Sequence, residues 1–166
     1  MIPHPDRQKL NLNCAVITVS DTRTRETDRS GQIIQQLLQE AEHQISIYAI
    51  IKDEPQEIED LLDYLEQQFE LSVIIFSGGT GIAPRDTTYD VVSQWLTKTI
   101  PGFGELFRYL SYQEIGSRAI ASRAVAGVRK QKLVFALPGS SNAVSLALTK
   151  LILPELNHLA RQIQGE

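Results

Sequence analysis

Reactive sulfur and imidazole are scarce in this chain. Cysteine occurs once, as Cys14, so no intrachain disulfide can form, and its place in an apolar run predicts a buried, unreactive thiol. No histidine stands near it in sequence to support a nucleophile. The histidines, His4, His43 and His158, are dispersed. They make no cluster with zinc-ligand spacing, and without a G-x-S-x-G elbow a Ser–His–acid hydrolase lacks its parts. Long apolar runs are missing as well: the most apolar stretch, "VSLALTKLILP", is too short to cross a bilayer and contains Lys150. The N-terminal "MIPHPDRQKLNLN" is polar, without the apolar core of a signal peptide. A reduced, cytoplasmic protein with no membrane partner is expected. Basic charge is not in excess either. Lys plus Arg number 16 against 20 Asp plus Glu, a net charge of −4, which argues against a nucleic-acid surface. No repeat, low-complexity tract or linker interrupts the sequence.

What is present is enough for one domain. The chain has 166 residues, 42% of them hydrophobic and 22% charged, ordinary for a single globular unit. We take 1–166 as that unit, with residues 1–12 as an N-terminal arm. "NCAVITVS" reads as a strand and is followed by the polar loop "DTRTRETD". Ser30 suits the N-cap of a helix whose apolar face carries Ile33, Ile34, Leu37, Leu38 and Ala41. In "QISIYAII" the alternation of Ile45, Ile47, Ala49 and Ile51 predicts a strand with one more apolar face. Pro55 opens a second helix with Ile58, Leu61, Leu62, Leu65 and Phe69 inward. "LSVIIFS" is apolar almost throughout, as a central parallel strand should be. A T-x-x-D pattern, Thr87 with Asp90, predicts the cap of a third helix. The chain then reads as less regular until "KLVFALPGSSNAVSLALTKLILPEL": a strand, a Pro-Gly-Ser turn and a long helix interrupted near Pro154. Alternating strands and helices predict an α/β protein, three-layer αβα with a mainly parallel sheet. Ligands of such sheets gather beyond the carboxyl ends of the strands. The loops after Ser20, Ile51, Ser77 and Leu137 are therefore where chemistry is expected.

The loop Ser77, Gly78, Gly79, Thr80, Gly81 has more glycine than a turn needs. Bare backbone lets N–H groups converge on an anion, with the next helix N-terminus behind them. It is neither a Walker loop, since no Lys-Ser/Thr follows, nor a complete dinucleotide fingerprint, because Pro84 takes the third glycine's place. Asp86 follows closely. An acid beside a phosphate loop repels the ligand unless a cation intervenes, and Mg²⁺ binds through one or two carboxylates plus phosphate oxygens. Asp86 is thus either a helix cap or a metal ligand, and Asp53, after the second strand, has the same two readings. Ser20 and Asp21 in the first loop share that ambiguity. Gly139 and Ser140 make a second turn at a helix start, for a phosphate, a ribose or a simple cap. Arg85 either assists phosphates or pairs with a nearby acid. The aromatic stretch with Phe103, Phe107, Tyr109 and Tyr112 is expected mostly in the core, with any exposed members at a subunit interface. Phosphate chemistry, which needs positioning and charge neutralisation, is what these residues support.

Four ordered blocks, "TVSDTRTRETDRSG", "SGGTGIAPRDTTYDVV", "PGFGELFRYLSYQEIGSRAIASRAVAG" and "LPGSSNAV", resemble the MoaB/MogA family of molybdenum-cofactor biosynthesis proteins, from about Cys14 to the last helix. The third block is more similar to the MoaB branch. The resemblance implies a molybdopterin-binding α/β fold, a trimer or a hexamer of two trimers, and work beside other enzymes of the pathway. It implies adenylyl transfer, in which Mg²⁺-ATP and molybdopterin give adenylyl-molybdopterin and pyrophosphate; the alternative is a non-catalytic molybdopterin-binding or carrier protein. By the same resemblance the catalytic, metal-holding acids fall on Asp86 and Asp53. Phosphate and substrate contacts fall on Ser77 to Gly81, on Ser122 and Arg123, and on Gly139 and Ser140.

Overall fold

The computed structural model describes residues 9–165. The proposed arm therefore falls largely outside the described residues; within them, Leu10 and Leu12 already pack on the core. The strands are β1 (Asn13–Val19), β2 (Gln44–Ile51), β3 (Val73–Ser77), β4 (Lys98–Thr99), β5 (Val125–Arg129) and β6 (Lys132–Leu137). They form one sheet in the order β2-β1-β3-β6-β5-β4. β1, β2, β3 and β6 are parallel, and β5 is antiparallel to both of its neighbours. The helices are α1 (Arg29–Glu40), α2 (Pro55–Glu66), α3 (Thr88–Trp95), α4 (Pro101–Ile115), α5 (Ser141–Ala147) and α6 (Leu153–Gln164).

Two cores flank the sheet. One joins Cys14, Val16, Val73, Ile75, Leu133 and Phe135 to residues of α1, α4, α5 and α6. The other joins Ala15, Ile17, Ile74, Phe76 and Val134 to Ile58, Leu62 and Leu65 of α2 and Val92 of α3. The three-layer αβα expectation holds. β3 is buried along its whole length, so each of its apolar side chains is worth about 1.5–3 kcal/mol of transfer free energy. That rigid central strand fixes where the glycine loop begins.

Several local expectations are corrected. Asp28, not Ser30, caps α1, accepting from the Gly31 N–H; Asp is as strong a cap as Ser and lies where the chain is still non-helical. A register shift between Cys14 and Ala15 pairs Cys14 with Ile45 but Ala15 with Ile47. Ile45 and Tyr48 consequently face the α1 side while Ile47, Ala49 and Ile51 face the other, so the even alternation is broken. Phe69 is 94% exposed, because α2 has ended and the following turn delivers Leu71 to the core instead. Thr87 makes no side-chain cap bond to α3. The segment read as irregular contains α4, a 3-10 turn at Gly116–Ala121 and the β5–β6 hairpin. Pro154 does not break the last helix: a π turn, Leu148–Ile152, absorbs its missing N–H and leads into α6.

Candidate functional site

Because β1, β2, β3 and β6 run parallel, their carboxyl ends open on one edge, and the winding reverses between β1 and β3. The glycine loop leaves β3 at that reversal. Gly78 donates its N–H to the Leu137 carbonyl at 3.0 Å. Gly78 and Gly79 have φ of +100° and +67°, and a side chain at Gly78 would strike the Val19 carbonyl. At Gly79 it would strike the Thr88 hydroxyl and the Asp53 carboxylate, whose Cγ would lie 2.9 Å from a Cβ. The extra glycines are thus explained first by the close approach of an acid and of neighbouring backbone.

The loop carbonyls are held from behind. Gly79 C=O accepts from the Thr88 N–H at 2.9 Å. Arg123 donates from Nε to the Thr80 carbonyl at 3.0 Å and from a terminal nitrogen to the Gly81 carbonyl at 2.7 Å. The peptide bonds are trans, so in each unit the N–H lies opposite the carbonyl. The N–H groups of Thr80, Gly81 and Ile82 therefore point away from the groups that hold the preceding carbonyls. Among the described residues none of these three donors has a protein acceptor. Consecutive unpartnered amides of this kind suit an anion.

Asp53 is nearly buried. Its Oδ1 accepts from the Thr87 hydroxyl at 2.6 Å and the Thr87 N–H at 3.1 Å, and its own N–H donates to Asp21 Oδ1 at 3.2 Å. It caps no helix of its own; it ties the second loop to the entrance of α3. Asp86 Oδ2 accepts from the Ala83 N–H at 3.2 Å and abuts Gly81. The two aspartates thus reach the same loop, Asp53 against Gly79 and Asp86 against Gly81. Each keeps one oxygen, Asp53 Oδ2 and Asp86 Oδ1, outside any protein hydrogen bond. The Thr88 hydroxyl beside Asp53 is fully buried and without a partner. These are hard oxygen donors, the chemistry that Mg²⁺ prefers. Among the described residues no group of three acids, histidines or cysteines could hold an ion unaided, so an ion here fits only with phosphate oxygens and water completing its shell. Arg85 pairs with Asp21, the second of the two roles expected for it.

The second turn is built differently. Ser140 caps α5, its Oγ accepting from the Ala143 N–H at 3.2 Å. Gly139 lies against Gly78, and its carbonyl accepts from the Ser30 hydroxyl at 2.6 Å and the Arg23 guanidinium at 3.1 Å. Behind them Asp28 is fully buried. It accepts from Thr18 at 2.5 Å, Tyr48 at 2.6 Å and the Gly31 N–H at 3.0 Å, with Arg23 at 3.5 Å. Burial, and then the hydrogen bond to Asp28, push the Tyr48 phenol well above its ordinary value. This network is not visible in the sequence, because its members come from three separated segments. The cap-forming Asp28, four residues after Thr24, was the available signal.

Of the remaining expected residues, Ser20 turns its Oγ back on the N–H groups of Thr22 and Arg23. Ser77 is buried and its hydroxyl unpartnered. Ser122 closes the 3-10 turn through its backbone. Asp86, Thr87, Asp90 and Arg123 line a groove of about 430 Å³ beside Ile82 and Pro84. Cys14 is far from this edge and inert, burial raising its thiol to about 12.

A doubly flanked α/β sheet with a glycine loop of unpartnered amides and two acids at its switch point is the architecture of a binding domain suited to a phosphate-bearing ligand. The comparisons make the class specific. A family model described as a probable molybdopterin binding domain matches residues 15–158. A molybdenum cofactor biosynthesis protein B of Halalkalibacterium halodurans is 48% identical over 161 residues, covering 96% of this chain and 95% of its own. One from Staphylococcus carnosus is 53% identical over 157 residues, covering 92% and 91%. A crystal structure of a molybdenum cofactor biosynthesis protein B superposes with a TM-score of 0.93 at 46% identity, covering 96% and 100%. This chain belongs to the MoaB/MogA family of molybdenum-cofactor biosynthesis proteins, on its MoaB side. Among the described residues no helix is long and apolar enough to cross a membrane.

Proposed function

We propose that this member of the molybdenum-cofactor biosynthesis family binds molybdopterin at the glycine loop and transfers an adenylyl group to it from Mg²⁺-ATP. The observation that carries the reading is the row of unpartnered N–H groups at Thr80, Gly81 and Ile82, bracketed by the free carboxylate oxygens of Asp53 and Asp86. An oxygen of the molybdopterin phosphate attacks the α-phosphorus of ATP. The bond to the bridging oxygen breaks, and pyrophosphate leaves with that electron pair. The amides hold and orient a phosphate without reorganising, which is where electrostatic catalysis gains most. Asp53 and Asp86 would hold Mg²⁺, which supplies charge neutralisation across the phosphates. Asp21 links this site to Arg85, accepting from the Asp53 N–H while pairing with the guanidinium.

A second reading, a molybdopterin carrier, is favoured by the other halves of the same carboxylates. Asp53 Oδ1 and Asp86 Oδ2 are committed to ordering the loop, a use that needs no metal. The test is an anaerobic incubation with molybdopterin, Mg²⁺ and ATP, following adenylyl-molybdopterin by chromatography, with Asp86→Asn alongside. Product from wild type and none from the variant supports the transferase. Tight pterin binding with no product from either supports the carrier.

Self-association belongs to the same proposal. Tyr109, Tyr112, Ile115 and Ile120 are exposed on α4 and the turn after it, and aromatic side chains of this kind are enriched in subunit interfaces. Trimer or hexamer assembly through this face would cover them.

A further inference from the structure

Arg123 entered as a candidate substrate contact, but its hydrogen bonds are directed elsewhere. Besides the Thr80 and Gly81 carbonyls it makes a two-pronged pair with Asp90, at 2.9 Å and 3.0 Å. Its guanidinium carbon lies 4.5 Å from the Tyr89 ring centroid. Every one of its three guanidinium nitrogens therefore already donates, and one face of the plane is stacked. Tyr89 and Asp90 belong to the first turn of α3, the helix into which the glycine loop leads. One planar group thus clamps the loop to the helix that follows it.

We propose that Arg123 is a positioning residue: it latches the Thr80–Gly81 and Gly81–Ile82 peptide planes so that their N–H groups face a phosphate-bearing ligand, and it does not touch that ligand. The inference rests on the reading of the glycine loop as the phosphate site. Its physical basis is the fixed fork of the guanidinium, which can meet two carbonyls and a carboxylate in one plane; a lysine ammonium, a point charge with three rotating donors, cannot. If Arg123 instead bound phosphate as a charge, lysine would serve nearly as well.

The experiment compares wild type, Arg123→Lys, the charge-neutral double variant Arg123→Gln with Asp90→Asn, and Gly79→Ala. Molybdopterin affinity is measured anaerobically, and the backbone motion of Gly81 and Ile82 in the ligand-free proteins by ¹⁵N relaxation. Arg123→Lys and the double variant are expected to bind about tenfold more weakly, with raised motion at both amides. Wild-type affinity in Arg123→Lys overturns the latch. So does weakened binding with the two amides as rigid as in wild type, which would make Arg123 a direct contact. Gly79→Ala is a separate arm: if it binds as wild type does, the loop is not the phosphate site, whatever Arg123 does.

Discussion

Alanine at Gly79 is the most demanding stability test of the loop. The position has φ of +67°, where an L side chain costs about 1–2 kcal/mol. The new Cβ would also meet the Thr88 hydroxyl and the Asp53 carboxyl group, and overpacking of this kind adds about 1–3 kcal/mol. Loss of unfolded-state freedom returns about 0.4–1 kcal/mol, leaving a net loss of about 1–4.6 kcal/mol. For a chain of this size that is a fall in Tm of about 2–18 °C. Thermal melts followed by circular dichroism measure it directly. Gly102→Ala is the control, since a Cβ there meets nothing within 4 Å; its melt should be unchanged or slightly higher. A Gly79→Ala melt within a degree or so of wild type would refute the close-approach explanation of this glycine.

The other expectations are simpler. Cys14, with its thiol raised to about 12 by burial, should react with a thiol reagent only after denaturation; rapid labelling of the native protein would contradict its placement. Hydrogen bonding from Arg123 holds Asp90 below its ordinary 3.8, and bonds from Arg129 and Lys130 hold Glu66 below its ordinary 4.5. Folded-state values that are depressed contribute stability above the ordinary ones, and that contribution is lost as pH falls through the folded ones. Urea midpoints should therefore fall as pH drops below 4.5 and again below 3.8; a midpoint rising in that range would be contrary. Light scattering should find a species larger than a monomer, and Ile120→Glu, at a residue 91% exposed within one chain, should shift it toward monomer without lowering the secondary structure content.

The parts of the fold legible in the sequence are those where local pattern and tertiary demand agree. β3 and β6 carry unbroken apolar runs because helices cover both of their faces. α4 was not legible: Phe103 and Phe107 face the core, but Leu106, Tyr109 and Tyr112 crowd its exposed side, so the helical period is washed out. The offset in β2 depends on a register shift that no alternation rule contains. At the site, the loops and the acids Asp53 and Asp86 were legible because topology alone sends them to one edge. Their partners were not. Thr87 bonded to Asp53, Thr88 beside it, and Arg123 clamped to Asp90 are separated by more than 30 residues from what they meet, and only the folded sheet brings them together. Thr87 looked like a cap because its local sequence is that of one; the carboxylate across the loop is the stronger acceptor for its hydroxyl.

The proposed site rests a phosphate on the amides of the glycine loop. It is tested most directly by titrating ¹⁵N-labelled protein with molybdopterin under anaerobic conditions and following each amide resonance. The largest shifts are expected at Thr80, Gly81 and Ile82, with the Asp53 and Asp86 neighbourhoods close behind. Saturable binding whose largest shifts fall elsewhere, with these three amides unmoved, would contradict it.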